Sequence, residues 1–81
     1  MDDVVETLME ACGKLGVRPS TPFGTVFDFQ AHVLEVFHPT REEDKEHALQ
    51  LILHAVRQAE GRKRAGAVEY LKQLRDLSKA G

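Results

Sequence analysis

The chain has 81 residues, a formal net charge of −2 and a single cysteine. This length suits one domain with a small core, so we expect residues 1–81 to fold as a single domain. One cysteine excludes an intramolecular disulfide, and no apolar run approaches the roughly 20 residues of a membrane-spanning helix. The acidic N-terminus lacks the features of a signal peptide, which predicts a soluble cytoplasmic protein with no membrane association.

Charge is unevenly distributed along the chain. Residues 1–50 contain ten acidic and four basic side chains, whereas residues 51–81 contain three acidic and seven basic ones. Two interpretations are open. The halves pack antiparallel and complement each other's charge, or the basic half binds an acidic protein or a nucleic acid.

The first predicted element is a helix over residues 2–15. Its apolar positions recur at helical spacing and define one face. Asp2, Asp3 and Glu6 lie in the first turn, where carboxylates stabilise the positive end of the helix dipole. The predicted buried face consists of Val4, Val5, Leu8, Met9, Cys12 and Leu15.

A loop is predicted at residues 16–22. Gly16 directly follows the last apolar residue of the first helix, as a C-terminal stop residue does. Ser20 or Thr21 followed by Pro22 is a suitable start for a second helix, because a hydroxyl caps the helix and proline has a helical φ.

Residues 23–37 contain all four phenylalanines and fit two periods. On a helical wheel the apolar residues cover about half the circumference, with polar residues opposite. Residues 27–33 also alternate between apolar and polar, which is the period of a strand. We favour a helix, and keep one or two strands within residues 25–37 as the alternative.

The next helix is predicted over residues 41–60. Thr40 and Glu43 have the spacing of a capping box, in which each side chain bonds the other residue's backbone N–H. The predicted apolar face is Ala48, Leu49, Ile52, Ala55, Val56 and Ala59, widened by Leu51 and Leu53.

The chain after residue 60 continues with a helical pattern over residues 63–79. Gly61 and Gly66 each cost a helix interior about 1 kcal/mol relative to alanine. We therefore favour a break at Gly61, although a single continuous helix over residues 41–79 also fits the apolar spacing. The resulting fold class is mostly α, a compact bundle of three to four helices, with a small α+β fold as the alternative.

Catalytic and metal-binding patterns are weak. His47 and His54 are two helical turns apart, about 10.8 Å, which is too far for one ion without further ligands. Cys12 lies on an apolar face, where we expect it to behave as a small core residue. No phosphate-binding glycine loop or nucleophile–base arrangement occurs. We therefore expect no enzymatic activity, no cofactor and no metal.

The sharpest basic feature is Arg62-Lys63-Arg64, within a basic segment around residues 57–75. Positive charge at a helix N-terminus opposes the helix dipole, so a partner is one explanation for it. A small nucleic-acid-binding regulator is therefore the alternative function, although the segment fits a helix-turn-helix poorly.

The aromatic segment is the stronger indication of function. Its apolar arc is wider than one element of a small bundle easily buries, so part of it is expected to face another chain. We therefore predict a protein-interaction or adaptor module that self-associates, as a homodimer. The predicted contact residues are Phe23, Phe27, Phe29, Val33 and Phe37.

Overall fold

The computed structural model describes residues 3–79, which fold as four α-helices. The bundle prediction is confirmed, and the α+β alternative is wrong, because no strand occurs between residues 3 and 79. The helices are α1 (Asp3–Lys14), α2 (Val26–Val36), α3 (Lys45–Glu60) and α4 (Arg64–Lys79), with a 3₁₀ turn (Glu42–Asp44) before α3.

Helix α1 follows its predicted pattern closely. Its buried face carries Val5, Leu8 and Cys12. The helix ends in a turn where Gly16 adopts a φ of +75°, a left-handed conformation that glycine takes without steric cost. The Val17 N–H donates to the Cys12 carbonyl at 2.9 Å. Such a bond satisfies a carbonyl that has no partner inside the helix.

Helix α2 begins later than predicted. The sequence placed its start at Pro22–Phe23, but Thr25 is the N-cap. The Asp28 N–H donates to Thr25 Oγ1 at 3.4 Å, and the Thr25 N–H donates to Asp28 Oδ2 at 3.1 Å. Gly24 N also donates to the same carboxylate oxygen, at 2.8 Å. This reciprocal capping box fixes the helix start, so Phe23 lies in the preceding loop.

The predicted capping box at Thr40 and Glu43 is wrong. Arg41 precedes the 3₁₀ turn and provides no side-chain cap. The Glu43 carboxylate instead accepts from the Arg41 guanidinium. Lys45 forms an ion pair with Glu42 at 2.9 Å across the turn. Glu42 and Glu43 are thus paired with neighbouring cations rather than with backbone N–H groups.

Helices α3 and α4 are separate, as the favoured interpretation predicted. Gly61 ends α3, and Arg62 has a φ of 59°. The Lys63 N–H donates to the Gln58 carbonyl at 2.8 Å, which closes the turn. Gly66 remains inside α4, where a Cβ atom would collide with the side chain of Gln58 on α3. A larger residue at this position would therefore displace Gln58.

One apolar cluster joins the four helices. Helices α1, α3 and α4 contact one another, and α2 packs against α1. The Cα radius of gyration is 11.5 Å. The buried apolar residues are Val5, Leu8, Ala11, Cys12, Phe23, Phe29, Val33, Phe37, Ala48, Leu51, Ile52, Ala55, Ala59, Ala67, Leu71 and Leu74.

Candidate interaction surface

Four of the five predicted contact residues lie inside the chain's own core. Phe29 and Val33 are fully buried, and Phe23 and Phe37 are nearly so. The rings of Phe23 and Phe29 meet edge to face, with centroids 5.9 Å apart. These four side chains are therefore enclosed by the monomer, and the structure brings them together as core residues.

Phe27 is the exception, because its side chain is 80% exposed. It lies in the first turn of α2, where each residue advances about 100° around the axis. The buried face of α2 is centred on Phe29 and Val33. Phe27 lies about 120° from Val33 around the helix axis. A large aromatic ring in water leaves apolar surface that a protein partner can cover.

His32 holds the loop before α2 in place. Its Nε2 donates to the Val17 carbonyl at 2.7 Å, and its ring lies 5.5 Å from that of Phe23 between centroids. The loop at residues 17–23 is thereby fixed against α2. Phe27 thus projects from the N-terminal part of a helix that a hydrogen bond and ring packing hold against the preceding loop.

Helix α3 contributes two further exposed apolar side chains. Leu49 and Leu53 are 46% and 50% exposed, and residues four apart lie on one face of a helix. The sequence prediction placed both on the apolar face together with Leu51 and Ile52. That placement is correct for Leu51 and Ile52, which are buried, and wrong for Leu49 and Leu53, which face solvent. The sequence does indicate such an exposed stripe, because the apolar residues of α3 cover more of the helix circumference than packing against the core requires.

A groove lies between α2 and α3. Leu34 from α2 and Leu49 from α3 line it, together with His38, Pro39 and Lys45. Its volume is about 220 Å³. The lining is mainly apolar and includes the cationic side chain of Lys45. Sequence reasoning missed this groove, since it forms only when the end of α2 meets the start of α3.

The basic segment is partly neutralised within the fold. Arg62 contacts Asp3 at 3.0 Å, and Arg64 contacts Glu10 at 2.8 Å. Both acids belong to α1, so the acidic and basic halves of the chain meet at this surface. Lys63 makes no ion pair among the described residues.

The Cys12 side chain is fully buried, as its core interpretation predicted. Burial raises the pKa of its thiol to about 11, because the charged thiolate is poorly solvated in an apolar core. A protonated, enclosed thiol is a poor nucleophile.

The histidines are also dispersed. His54 stacks on Tyr70 across α3 and α4, with ring centroids 5.0 Å apart. Over residues 3–79, no group of three His, Cys, Asp or Glu side chains is arranged to hold a metal ion.

The chain matches no known family model, no curated protein and no solved structure in comparisons with each. Among the described helices, none has both the length and the apolar character needed to cross a bilayer.

Proposed function

We propose that this protein is an interaction module that self-associates through the apolar surface formed by α2 and α3. This surface consists of Phe27, Leu34, Leu49 and Leu53. The observation that carries the proposal is the exposed ring of Phe27, 80% of which faces water in the monomer. Burying such a side chain in a partner contributes about 1.5–3 kcal/mol.

Three features support a contact between proteins as the function. The exposed apolar residues come from two helices, and a groove of about 220 Å³ lies between those helices. The only described cysteine is enclosed in the core. The histidines and carboxylates of residues 3–79 form no cluster for a metal ion.

Nucleic-acid binding through Arg62, Lys63 and Arg64 is the weaker candidate. Two of the three side chains already contact carboxylates of α1. Each such contact reduces the positive field that would attract phosphate. Of these three side chains, Lys63 alone makes no ion pair among the described residues, so this stretch offers a single unpaired cation.

Sedimentation equilibrium across a range of about 1–200 µM tests the proposal. We expect a mass above that of the monomer at the upper end, and a return toward the monomer for Phe27→Ser. Gln50→Ser is the matched control, because Gln50 is an exposed polar residue of α3. A strictly monomeric wild type, or a Phe27→Ser variant with unchanged association, would contradict the proposed function.

A further inference from the structure

Helices α1 and α4 present a group of cations that no carboxylate of the described chain neutralises. Lys14 at the end of α1 and Lys72 on α4 line the same surface depression. Arg75 follows Lys72 on α4 by three residues, which is close to one helical turn. None of the three side chains forms an ion pair among residues 3–79. Lys14, Lys72 and Arg75 are called the basic face below.

The spacing of residues along α4 concentrates positive charge on one side of the helix. Every third or fourth residue returns to the same side, and one such stripe has an arc of about 80° and a length of about 16 Å. It consists of Arg64, Val68, Lys72 and Arg75. The nearest acidic residues of α4 are Glu69 and Asp76, which lie about 40–60° outside this arc. The stripe itself therefore contains no acidic residue.

The depression beside this stripe combines charge with apolar surface. Its volume is about 350 Å³, and its lining includes the exposed Ala65 and the half-buried Val68 between Lys14 and Lys72. Arg64 also lines it but is already paired with a carboxylate of α1. An aliphatic side chain can contact Val68 there while carboxylates on either side of it pair with the two lysines.

Arg75 adds a cation whose position is costly without a partner. The residue is half-buried, and its Nε is fully enclosed with no hydrogen-bond partner among the described residues. Partial burial weakens hydration of the guanidinium, so an opposite charge stabilises it more than it would a fully exposed cation. A carboxylate next to Arg75 therefore has more effect than one next to a solvated lysine.

We infer that the basic face binds an acidic segment of another protein. The carboxylates of that segment pair with Lys14, Lys72 and Arg75, and an aliphatic side chain between them contacts Val68. This surface lies on α1 and α4, whereas the proposed self-association uses α2 and α3. The two proposals therefore stand or fail separately.

Three observations favour a protein over a nucleic acid as the partner. The chain carries a net charge of −2, which opposes the approach of a long polyanion. No aromatic ring lies within the stripe to stack on bases. The nearest candidate, Tyr70, lies about 160° from the centre of the stripe and stacks on His54. The apolar lining of the depression also suits an aliphatic side chain better than a phosphate.

Fluorescence anisotropy of the full chain with a labelled acidic peptide tests the inference. The probe is a peptide of about 12 residues, long enough to span the stripe, with glutamate throughout except for leucine at every fourth position. We expect Lys14→Gln and Lys72→Gln each to raise the dissociation constant about two- to fivefold at low salt. Glu69→Gln removes the one carboxylate that lines the depression, so it should lower the constant about twofold.

Lys45→Gln is the matched control, because it removes the same charge from a lysine that lines the other groove and pairs with Glu42. It should leave the constant unchanged. Binding should also weaken as salt rises from about 50 mM to about 500 mM. Circular dichroism of each variant verifies that the helices are intact.

Four results would each overturn the inference. The wild type does not bind the peptide at low salt, or it binds an analogue with glutamine in place of glutamate equally well. Lys14→Gln and Lys72→Gln bind as tightly as the wild type. A labelled DNA duplex of the same total charge binds more tightly than the peptide and depends on Lys72 in the same way, which would make a nucleic acid the partner of this face.

Discussion

Phe27 and Phe29 are two residues apart, and their environments differ completely. Phe29 is fully buried and contacts the Phe23 ring edge to face, whereas Phe27 is 80% exposed. Replacing a buried phenylalanine by alanine removes transfer free energy and leaves a cavity. The same replacement in solvent removes neither contacts nor core volume.

We therefore expect Phe29→Ala to lower the free energy of unfolding by about 3–5 kcal/mol and Phe27→Ala to change it by less than about 0.5 kcal/mol. Urea denaturation at low protein concentration, where association contributes little, measures both. Equal losses for the two variants would mean that the Phe27 ring is packed in the core.

The buried thiol of Cys12 predicts that the free energy of unfolding depends on pH. Its pKa is raised by burial from 9.0 to about 11, so the unfolded chain loses the thiol proton at lower pH than the folded protein does. The unfolded state is then favoured as pH rises, and the stability that the neutral thiol provides below pH 9 is lost toward pH 11.

Measurement against Cys12→Ala isolates this effect, because other groups titrate alike in both proteins. We expect the stability advantage of the wild type over Cys12→Ala to shrink between pH 9 and pH 11. A difference that stays constant over this range would show that the thiol ionises equally in the folded and unfolded states.

At the scale of the elements, two threonines precede helical segments, and only one of them caps. Thr25 and Asp28 form a reciprocal capping box at the start of α2. Thr40 has the matching Glu43 three residues later, but that carboxylate binds Arg41. Side-chain capping satisfies backbone N–H groups that have no partner within the helix.

Thr25→Ala is therefore expected to lower the free energy of unfolding by about 1 kcal/mol, whereas Thr40→Ala should change it by less than about 0.5 kcal/mol. Thermal or urea unfolding of the two variants provides the comparison. A larger loss for Thr40→Ala than for Thr25→Ala would contradict the observed caps.

These caps show how far the sequence predicts the elements. The apolar period of α1 and the stop at Gly61 are local signals, and both correspond to the structure. The start of α2 was missed because aspartate takes the place of the usual glutamate in its capping box. Once Phe23 was counted as helical, the apolar arc appeared wider than it is.

The surface was harder to predict than the core. Leu49 and Leu53 have the same side-chain chemistry as the buried Leu51, so composition does not separate them. Which of them is buried depends on where α1 and α4 contact α3. The groove between Leu34 and Leu49 likewise requires the angle at which the chain turns between α2 and α3, and no local pattern encodes that angle.

At the scale of the whole molecule, the uneven charge distribution has a structural counterpart. The acidic α1 and the basic start of α4 meet, and the contacts Asp3–Arg62 and Glu10–Arg64 join them. Cations at the N-terminus of α4 oppose its dipole. Carboxylates of α1 offset this cost. Contacts within the chain therefore explain the positive charges of Arg62 and Arg64 without a binding partner.

Neutralisation of Glu10 and Arg64, singly and together, measures that contribution. Arg64→Gln alone removes the ion pair but also removes an unfavourable charge from the helix N-terminus, so its net effect does not report the pair. The double-mutant cycle with Glu10→Gln cancels the dipole effect and isolates the coupling, because neither single variant creates a like-charge contact. Both side chains are partly exposed, so we expect a coupling of about 0.2–1 kcal/mol that decreases at high salt. A coupling of zero at low salt would mean that the Glu10–Arg64 ion pair does not help to hold the two halves together, and that the charge of Arg64 remains available to a partner.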